Sequence, residues 1–309
     1  MSTVLISGGT GLVGQRLSAA LSERGYEVML LSRKNASSLK YSTYTWNPEE
    51  QEIAHEAIAR ADYVVNLAGV NISEKKWTNT RKQEIADSRV KSGQLLTNSI
   101  RENNKKIKAF ISASAVGYYG AETSEKVFSE NDSPASDFLG NTCETWEKPA
   151  GEISKLGIRS VILRIGVVLA REGGALPKMM LPIKYGVGSA LGDGKQYIPW
   201  IHIDDLVGIL IQSIEAEGMN GSYNAVAPES TNNESFMRLV ANILKKPFFL
   251  PKVPATILRM LLGEMAVIVL EGSRVSAEKI IESGYKFVYP ELNAALRDLL
   301  LDLPQDQVN

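Results

Sequence analysis

Ser112, Ser114, Tyr118 and Tyr119 lie together near the middle of the chain. Hydroxyls are the acids and hydrogen-bonding groups that an alcohol or carbonyl substrate needs. Residues 109–114, Ala-Phe-Ile-Ser-Ala-Ser, read as a strand, and the carboxyl ends of strands in an open α/β sheet line the ligand crevice. The four hydroxyls are therefore candidates for proton handling or substrate hydrogen bonds. The alternative is that the serines cap the strand and the tyrosines pack. A phenol with no cation beside it is a weak acid, with a pKa of about 10. Chemistry through it is expected to be slow.

A second constellation stands at the start. Residues 4–6 form a short apolar run, Gly8, Gly11 and Gly14 follow three apart, and residues 12–24 have a helical pattern. Strand, glycine turn and helix is the arrangement that lets backbone approach a pyrophosphate and places a helix N-terminus against its charge. An ordinary strand–helix turn is the bland alternative. The next strand, 26–32, runs into Ser32-Arg33-Lys34. In a dinucleotide fold the adenosine ribose lies there, and an acid would hold the 2′-hydroxyl of NAD. A hydroxyl and two cations suit a 2′-phosphate instead, with Arg33 able to pair with it and cover the adenine. NADP is thus expected over NAD; the alternative is a solvated basic turn. The fourth strand leaves through Ala68 and Gly69, small enough for a cofactor to pass, although a plain strand end would look similar.

These residues need a scaffold. Strands alternate with helices over residues 1–165, which points to a doubly wound parallel (Rossmann) sheet. The elements expected include an edge strand at 43–46, a helix over 49–60, a long helix over 80–103 and a helix over 137–156. After Gly166 comes a glycine-rich stretch of substrate-side loops, then a strand at 197–203, a helix at 204–217 and a last strand at 221–226. Helices follow near 235–245, 255–262, 276–283 and 291–301. The expected division is a dinucleotide-binding unit of residues 1–165 plus about 200–228, and a smaller, mostly helical substrate-side region of 166–199 plus 229–309.

Composition narrows the partners. A net charge of −1 over 309 residues supplies no general field for nucleic acid or an anionic membrane. Hydrophobic content of 44% with 22% charged residues suits a globular chain. No apolar run is long enough to span a bilayer. The single cysteine, Cys143, excludes an internal disulfide and suggests a reducing, cytoplasmic setting. His55 and His202 have no metal-ligand spacing, so no metal is expected.

Several stretches together resemble the short-chain dehydrogenase/reductase superfamily, in its extended or atypical branch. The likeness is greatest to the YfcH-type epimerase family, which carries a small C-terminal domain of unknown function. The carriers are Ser-Gly-Gly-Thr-Gly-Leu-Val-Gly (7–14), Leu-Ser-Arg-Lys (31–34), Asn-Leu-Ala-Gly (66–69), Ser-Arg (88–89) and Ser-Ala-Ser-Ala-Val-Gly-Tyr-Tyr-Gly (112–120). Trp-Glu (146–147), Arg-Ile-Gly-Val-Val-Leu (164–169), Gly-Asp-Gly-Lys-Gln (192–196), Trp-Ile-His-Ile-Asp-Asp (200–205) and Leu-Glu-Gly-Ser-Arg-Val (270–275) complete the set. The resemblance implies a seven-stranded parallel sheet binding NADP, with a small-molecule substrate such as a nucleotide sugar. It places the pyrophosphate on Gly8, Gly9, Thr10, Gly11, Leu12 and Val13, and the 2′-phosphate and adenine on Ser32 and Arg33. Leu67 and Ala68 would meet the cofactor by backbone, Glu84 and Arg89 would face it from the long helix, and Val168 would lie near the nicotinamide; Gly69 and Ser112 complete the cofactor set. His202 and Asp205 match a motif that supports the fold.

One departure stands against the matches. Active members of the superfamily use a tyrosine followed four residues later by lysine, and no tyrosine here has lysine at that spacing. Leu139 and Cys143 stand about where the pair belongs. Catalysis would then rest on Ser114 to orient the substrate oxygen and on Tyr118 or Tyr119 for the proton. The competing reading is an NADP(H)-binding regulator without turnover.

Overall fold

The computed structural model describes residues 1–33, 40–103 and 107–301; Lys34, expected beside the 2′-phosphate, lies outside them. In chain order the strands are β1 (Thr3–Ser7), β2 (Glu27–Ser32), β3 (Ser42–Asn47), β4 (Glu52–Ile53), β5 (Tyr63–Asn66), β6 (Ala109–Ala115), β7 (Val127–Phe128), β8 (Arg159–Ile165), β9 (Val167–Leu169), β10 (Trp200–His202), β11 (Gly221–Ala225) and β12 (Arg274–Val275). The helices are α1 (Leu12–Glu23), α2 (His55–Arg60), α3 (Asn79–Glu102), α4 (Phe138–Lys155), α5 (Leu176–Lys184), α6 (Ile203–Glu215), α7 (Asn233–Ile243), α8 (Ala255–Leu262), α9 (Val267–Leu270), α10 (Glu278–Glu282) and α11 (Leu292–Leu301).

The main sheet runs β11-β8-β6-β5-β1-β2-β3-β4. Seven of its strands are parallel, as expected; β4 adds an eighth, antiparallel to β3. The chain moves outward from β1 through β2 and β3, then returns to the other side of β1 with β5. The crevice at that reversal is where open α/β sheets bind ligands. Each strand alternates between two cores. Val4, Ile6, Val65 and Ile111 pack toward Leu17 and Leu21 of α1 and Leu206 and Leu210 of α6. Leu5, Val64 and Phe110 pack toward Leu95 and Leu96 of α3 and Ile153 of α4. Burial on both sides explains why these strands read as continuous apolar runs.

The expected helix over 49–60 is a correction. Asn47 accepts the Glu49 amide at 3.1 Å and Gln51 takes φ 55°, so residues 47–52 turn back as a hairpin. Only residues 55–60 remain helical. The strand expected at 197–203 is also shorter. Its β10 pairs with β9 apart from the main sheet, and β7 pairs with β12 in another small sheet. Helices α5, α7 and α11 build a further core around Trp200 and Phe236.

His202 and Asp205 join that C-terminal region to the sheet, as their motif implied. Nδ1 of His202 accepts the Asp204 amide at 3.1 Å and caps α6, so Nε2 carries the proton and meets Asp298 at 3.2 Å. The fully buried Asp205 carboxylate accepts the Val288 and Tyr289 amides at 2.8 and 2.9 Å. Burial holds the His202 pKa below its ordinary value of 6.5, against the raising influence of Asp204, Asp298 and Asp205. The unfolded chain therefore takes up this proton first. The stability His202 confers is complete above about pH 6.5 and is lost as pH falls below it. Urea unfolding at pH 5.5 should show a loss from this group of at most about 1.4 kcal/mol relative to pH 7.5. In His202→Asn that pH-dependent loss should shrink; an unchanged slope would remove the histidine from the account.

Candidate functional site

The turn between β1 and α1 assigns its glycines different tasks. Gly8 takes φ 72°, and a Cβ there would stand 2.8 Å from the Leu67 carbonyl. A Cβ on Gly14 would overlap the Gly8 carbonyl, so this glycine lets α1 sit on the turn. Gly9 is buried against Leu30. Thr10 and Gly11 are exposed. Gly11 has an ordinary φ of −78°, and the nearest atom to a Cβ there is the Gly8 carbonyl oxygen at 3.3 Å. It is the one glycine of the turn that opens outward. It also forms the N-cap of α1, with no side-chain cap and no acid in the first turn. The helix start is thus shaped to receive an anion rather than already satisfied by the chain. Leu12 and Val13 are half-buried, and the Leu12 side chain lies 3.6 Å from where Cβ atoms on Gly173 and Gly174 would be. Those two glycines bring the loop after β9 over the turn. The half-buried Val168 is on β9, beside this loop.

Ser32 ends β2 half-buried, and Arg33 follows it exposed. At the exit of β5, Leu67 and Ala68 are half-buried and Gly69 is exposed. Asn66 ties the two exits together by accepting the Ser7 hydroxyl at 2.6 Å and the Ala68 amide at 3.4 Å. Arg89 reaches this exit from α3, with its guanidinium carbon 3.2 Å from a Cβ built on Gly69. Glu84 lies earlier on α3. Its carboxylate pairs with Arg81 at 2.9 Å, and Arg81 in turn bonds Asn71 and Glu74. Glu84 therefore steadies the 71–74 loop.

The hydroxyls after β6 separate more sharply. Ser112 is buried and donates to the Ala113 carbonyl at 3.2 Å. Ser114 is buried and donates to Glu147 of α4 at 2.6 Å. Both oxygens of Glu147 accept from one edge of Arg164, from Nε and Nη2, each at 2.9 Å. Arg164 also donates to the Tyr119 hydroxyl at 3.0 Å, which donates to Asn224 of β11 at 2.7 Å. Tyr119 is 2% exposed, and burial pushes its phenol up to about 12 despite the neighbouring arginine. Tyr118 is half-buried, with its ring centre 3.4 Å from the Arg164 guanidinium carbon. Burial raises its pKa, and Arg164 opposes the rise.

Leu139 and Cys143 do face this turn, a 3₁₀ segment at Val116–Tyr119. A Cβ on Gly117 would meet the Leu139 Cβ at 3.4 Å and the Cys143 sulfur at 3.7 Å. Burial pushes the Cys143 thiol up to about 12, so it is a neutral wall. Glu147 and Arg164 were assigned no role from sequence. Their signal was there: Arg164 interrupts the apolar run Val-Ile-Leu-Arg-Ile of β8. A charge inside such a strand needs a partner, but nothing local says which. Among the described residues no group of three or more potential ligands could hold a metal ion.

A model described as the NAD dependent epimerase/dehydratase family matches residues 4–225. The chain belongs to that family. A second model, a domain of unknown function (DUF1731), matches residues 253–299 and takes in α8 to α10 and most of α11. The epimerase family protein SDR39U1 of Mus musculus is 37% identical over 302 residues, with 96% of this chain and 99% of the relative covered. The crystal structure of human SDR39U1 (isoform 2) with NADPH superposes with a TM-score of 0.86 at 34% identity, covering 97% of this chain and all of the other. UDP-glucose 4-epimerase of Thermotoga maritima, solved with UDP-glucose, shares the fold at a TM-score of 0.76 and 18% identity, covering 96% and 97% of the two chains.

The contrast among the glycines is testable. Gly11→Val should keep its thermal midpoint within a few degrees while dinucleotide binding is lost. Gly14→Val should lower the midpoint strongly, because its Cβ meets backbone. Unchanged dinucleotide affinity in folded Gly11→Val would make the turn purely structural.

Proposed function

We propose that the protein is an NADP(H)-binding short-chain dehydrogenase/reductase that acts as an epimerase or oxidoreductase on a small hydroxylated or carbonyl compound, of which nucleotide sugars are the leading class. The observation that carries this reading is the uncapped, outward-open glycine turn, with Ser32-Arg33 and no acid at the end of β2. Binding of NADPH by the human relative supports the same cofactor. We assign the pyrophosphate to Gly8 through Val13, the adenosine 2′-phosphate to Ser32 and Arg33, and passage along the sheet edge to Leu67, Ala68, Gly69 and Val168. Residues 166–199 and 229–309 are assigned to the substrate side. Among the described residues no helix is long and apolar enough to cross a membrane, and we place the protein in the cytoplasm.

When bound, nicotinamide supplies hydride exchange. The chain's own part is orientation and proton handling. The Ser114 proton is directed to Glu147, so its oxygen presents lone pairs that suit a substrate O–H. Tyr119 belongs to the buried network, with both neighbours of its hydroxyl on the protein. Tyr118 is left as the candidate acid, with Arg164 on its ring favouring the phenolate. A second reading, a non-catalytic NADP(H)-binding regulator, is favoured by the absence of lysine four residues after any tyrosine.

Arg33→Ala should weaken NADP roughly ten- to a hundredfold, as expected for loss of a charge-assisted pair of about 1.5–3 kcal/mol, and leave NAD nearly unchanged. Equal losses by titration calorimetry would refute the assignment of the phosphate. For the proton, Tyr118→Phe should cost at least tenfold in turnover with NADPH affinity retained. Tyr119→Phe should instead lower the unfolding midpoint, since Asn224 and Arg164 lose a partner. Full turnover in Tyr118→Phe places the acid elsewhere. No turnover by the parent protein with NADPH or NADP and a panel of carbonyls and nucleotide sugars would leave the regulator reading standing.

A further inference from the structure

The net charge of the chain is near zero, but its charges are unevenly spread. Residues 173–192 and 235–263 contain no Asp or Glu, and every charged residue in them is Lys or Arg. The fold sets these two stretches side by side. The Gly192 amide donates to the Val253 carbonyl and the Val253 amide to the Ala190 carbonyl, both at 2.9 Å. The Ser189 hydroxyl donates to the Pro251 carbonyl at 2.6 Å. A Cβ on Gly186 would lie 3.8 Å from the Pro247 ring. Two loops thus stand together at the carboxyl ends of α5 and α7, residues 184–188 and 245–250.

Both loops place lysine before apolar tips. Lys184 precedes Tyr185 and Val187, and Lys245-Lys246 precede Pro247-Phe248-Phe249-Leu250. Phe248 packs on the core of α5, α7 and α11, with the Arg238 guanidinium carbon 5.0 Å from its ring centre. Its neighbour Phe249 is 76% exposed, Tyr185 is 79% exposed and Val187 56%. More than half of the large apolar side chains exposed among the described residues lie in the two acid-free stretches. Single exposed apolar residues are ordinary, but tips gathered on adjoining loops mark a contact surface.

The lysines of these loops have no counter-charge. Glu234, the acid just before the second stretch, is taken by Arg238 at 3.0 Å and Lys252 at 2.6 Å. Among the described residues Lys184, Lys245 and Lys246 form no ion pair. Lys184 is half-buried and the other two are exposed. Lysine stems can lie on apolar surface while their ammonium groups reach beyond it. A second copy of the chain, docked about a two-fold axis, would set lysine against lysine. Protein interfaces are in general depleted in lysine. A bilayer with anionic headgroups suits both features, because aromatic rings settle at headgroup level and lysines beside them meet the negative surface.

We propose that loops 184–188 and 245–250 dock the protein on an anionic lipid bilayer. Tyr185, Val187, Phe249 and Leu250 enter the interface, and Lys184, Lys245 and Lys246 meet headgroup phosphates. The docking is peripheral and reversible, with no spanning segment. The near-zero net charge gives little long-range steering, so the attraction is local and sensitive to salt. None of this depends on the NADP reading.

The test is co-sedimentation of the full chain with vesicles of phosphatidylglycerol and phosphatidylcholine in equal parts, and of phosphatidylcholine alone, at about 50 and about 300 mM KCl. At the lower salt the parent should bind the anionic vesicles at least tenfold more tightly than the neutral ones, and at the higher salt it should lose most of that binding. Tyr185→Ser combined with Phe249→Ser should weaken binding at least tenfold. Lys184→Gln, Lys245→Gln and Lys246→Gln together should do the same, since a lysine near such a surface contributes about fivefold. Lys155→Gln, on α4, should leave binding unchanged. Thermal midpoints should stay within a few degrees, because the replaced side chains have few protein neighbours to lose. Failure of the folded parent to bind anionic vesicles overturns the proposal, as does binding that both multiple variants retain. If the parent ignores vesicles but is retained on immobilised polyglutamate, and the lysine variant is not, the surface serves an acidic protein and the lipid proposal is likewise overturned.

Discussion

The ion pair between Glu147 and Arg164 is the constraint on which the wall of the cleft depends. Their side chains are 11% and 4% exposed, so both charges are almost wholly removed from water. Such a pair compensates for its desolvation only if the geometry is good and the remaining donors and acceptors find partners. Here the contact is two-pronged, Ser114 fills another site on the carboxylate, and Tyr119 and the Glu130 carbonyl take further arginine donors. Asn224 passes the network on to the Ser276 carbonyl beside β12. One pair thus locks α4, β6, β8 and β11 to the C-terminal region. Removing one partner of such a pair typically costs about 3–5 kcal/mol, because the other is left buried and uncompensated.

The same face of the sheet carries a row of polar residues at matching register. Ser7 pairs with Asn66 and Asn66 with Ser112 in one row, and two residues further along the same face Ser114 pairs with Arg164. Two residues before Ser7, Asn66 and Ser112 the same face is apolar, with Leu5, Val64 and Phe110. The change from apolar to polar occurs where the strands leave the core and approach the crevice. It is a geometric boundary written into the period of two. Arg89 lies against Gly69 at the exit of β5, and among the described residues no carboxylate forms an ion pair with it, in contrast with Arg164.

How legible this was in the sequence depended on the range of each interaction. The glycine turn depends on contacts among residues 8–14 and on Leu67, and its motif and neighbouring elements were readable directly. The hydroxyls after β6 were legible in location but not in partner. Ser114 meets Glu147 thirty-three residues away, and Tyr119 meets Asn224 more than a hundred away. Identity and spacing do not reveal which of two adjacent tyrosines will be buried. Over residues 49–60 a helical composition hides the local preference of Asn47-Pro48 for a turn, which the positive φ of Gln51 completes. The small sheets β9–β10 and β7–β12 escaped because two- and three-residue strands carry no periodicity.

Tyr118 and Tyr119 show how one cation can divide two identical side chains. Their rings meet edge to face, 5.4 Å apart and 81° from parallel, so the 3₁₀ turn sends them in different directions. Arg164 lies between them. To Tyr119 it donates a hydrogen bond in the plane of a buried network, and the hydroxyl has Asn224 on its other side. To Tyr118 it presents its flat face, which leaves the guanidinium edges to Glu147 and Tyr119. Burial raises the Tyr118 pKa, and Arg164 at this position works against that rise. A lysine four residues along a helix would act on a tyrosine from the same helix face. Here the charge comes from a neighbouring strand and is already balanced by Glu147. Its influence on Tyr118 is correspondingly weaker than that of an unpaired ammonium at similar range. The cleft can therefore hold a proton-bearing phenol in place, but the balanced charge beside it limits how far that phenol is tuned.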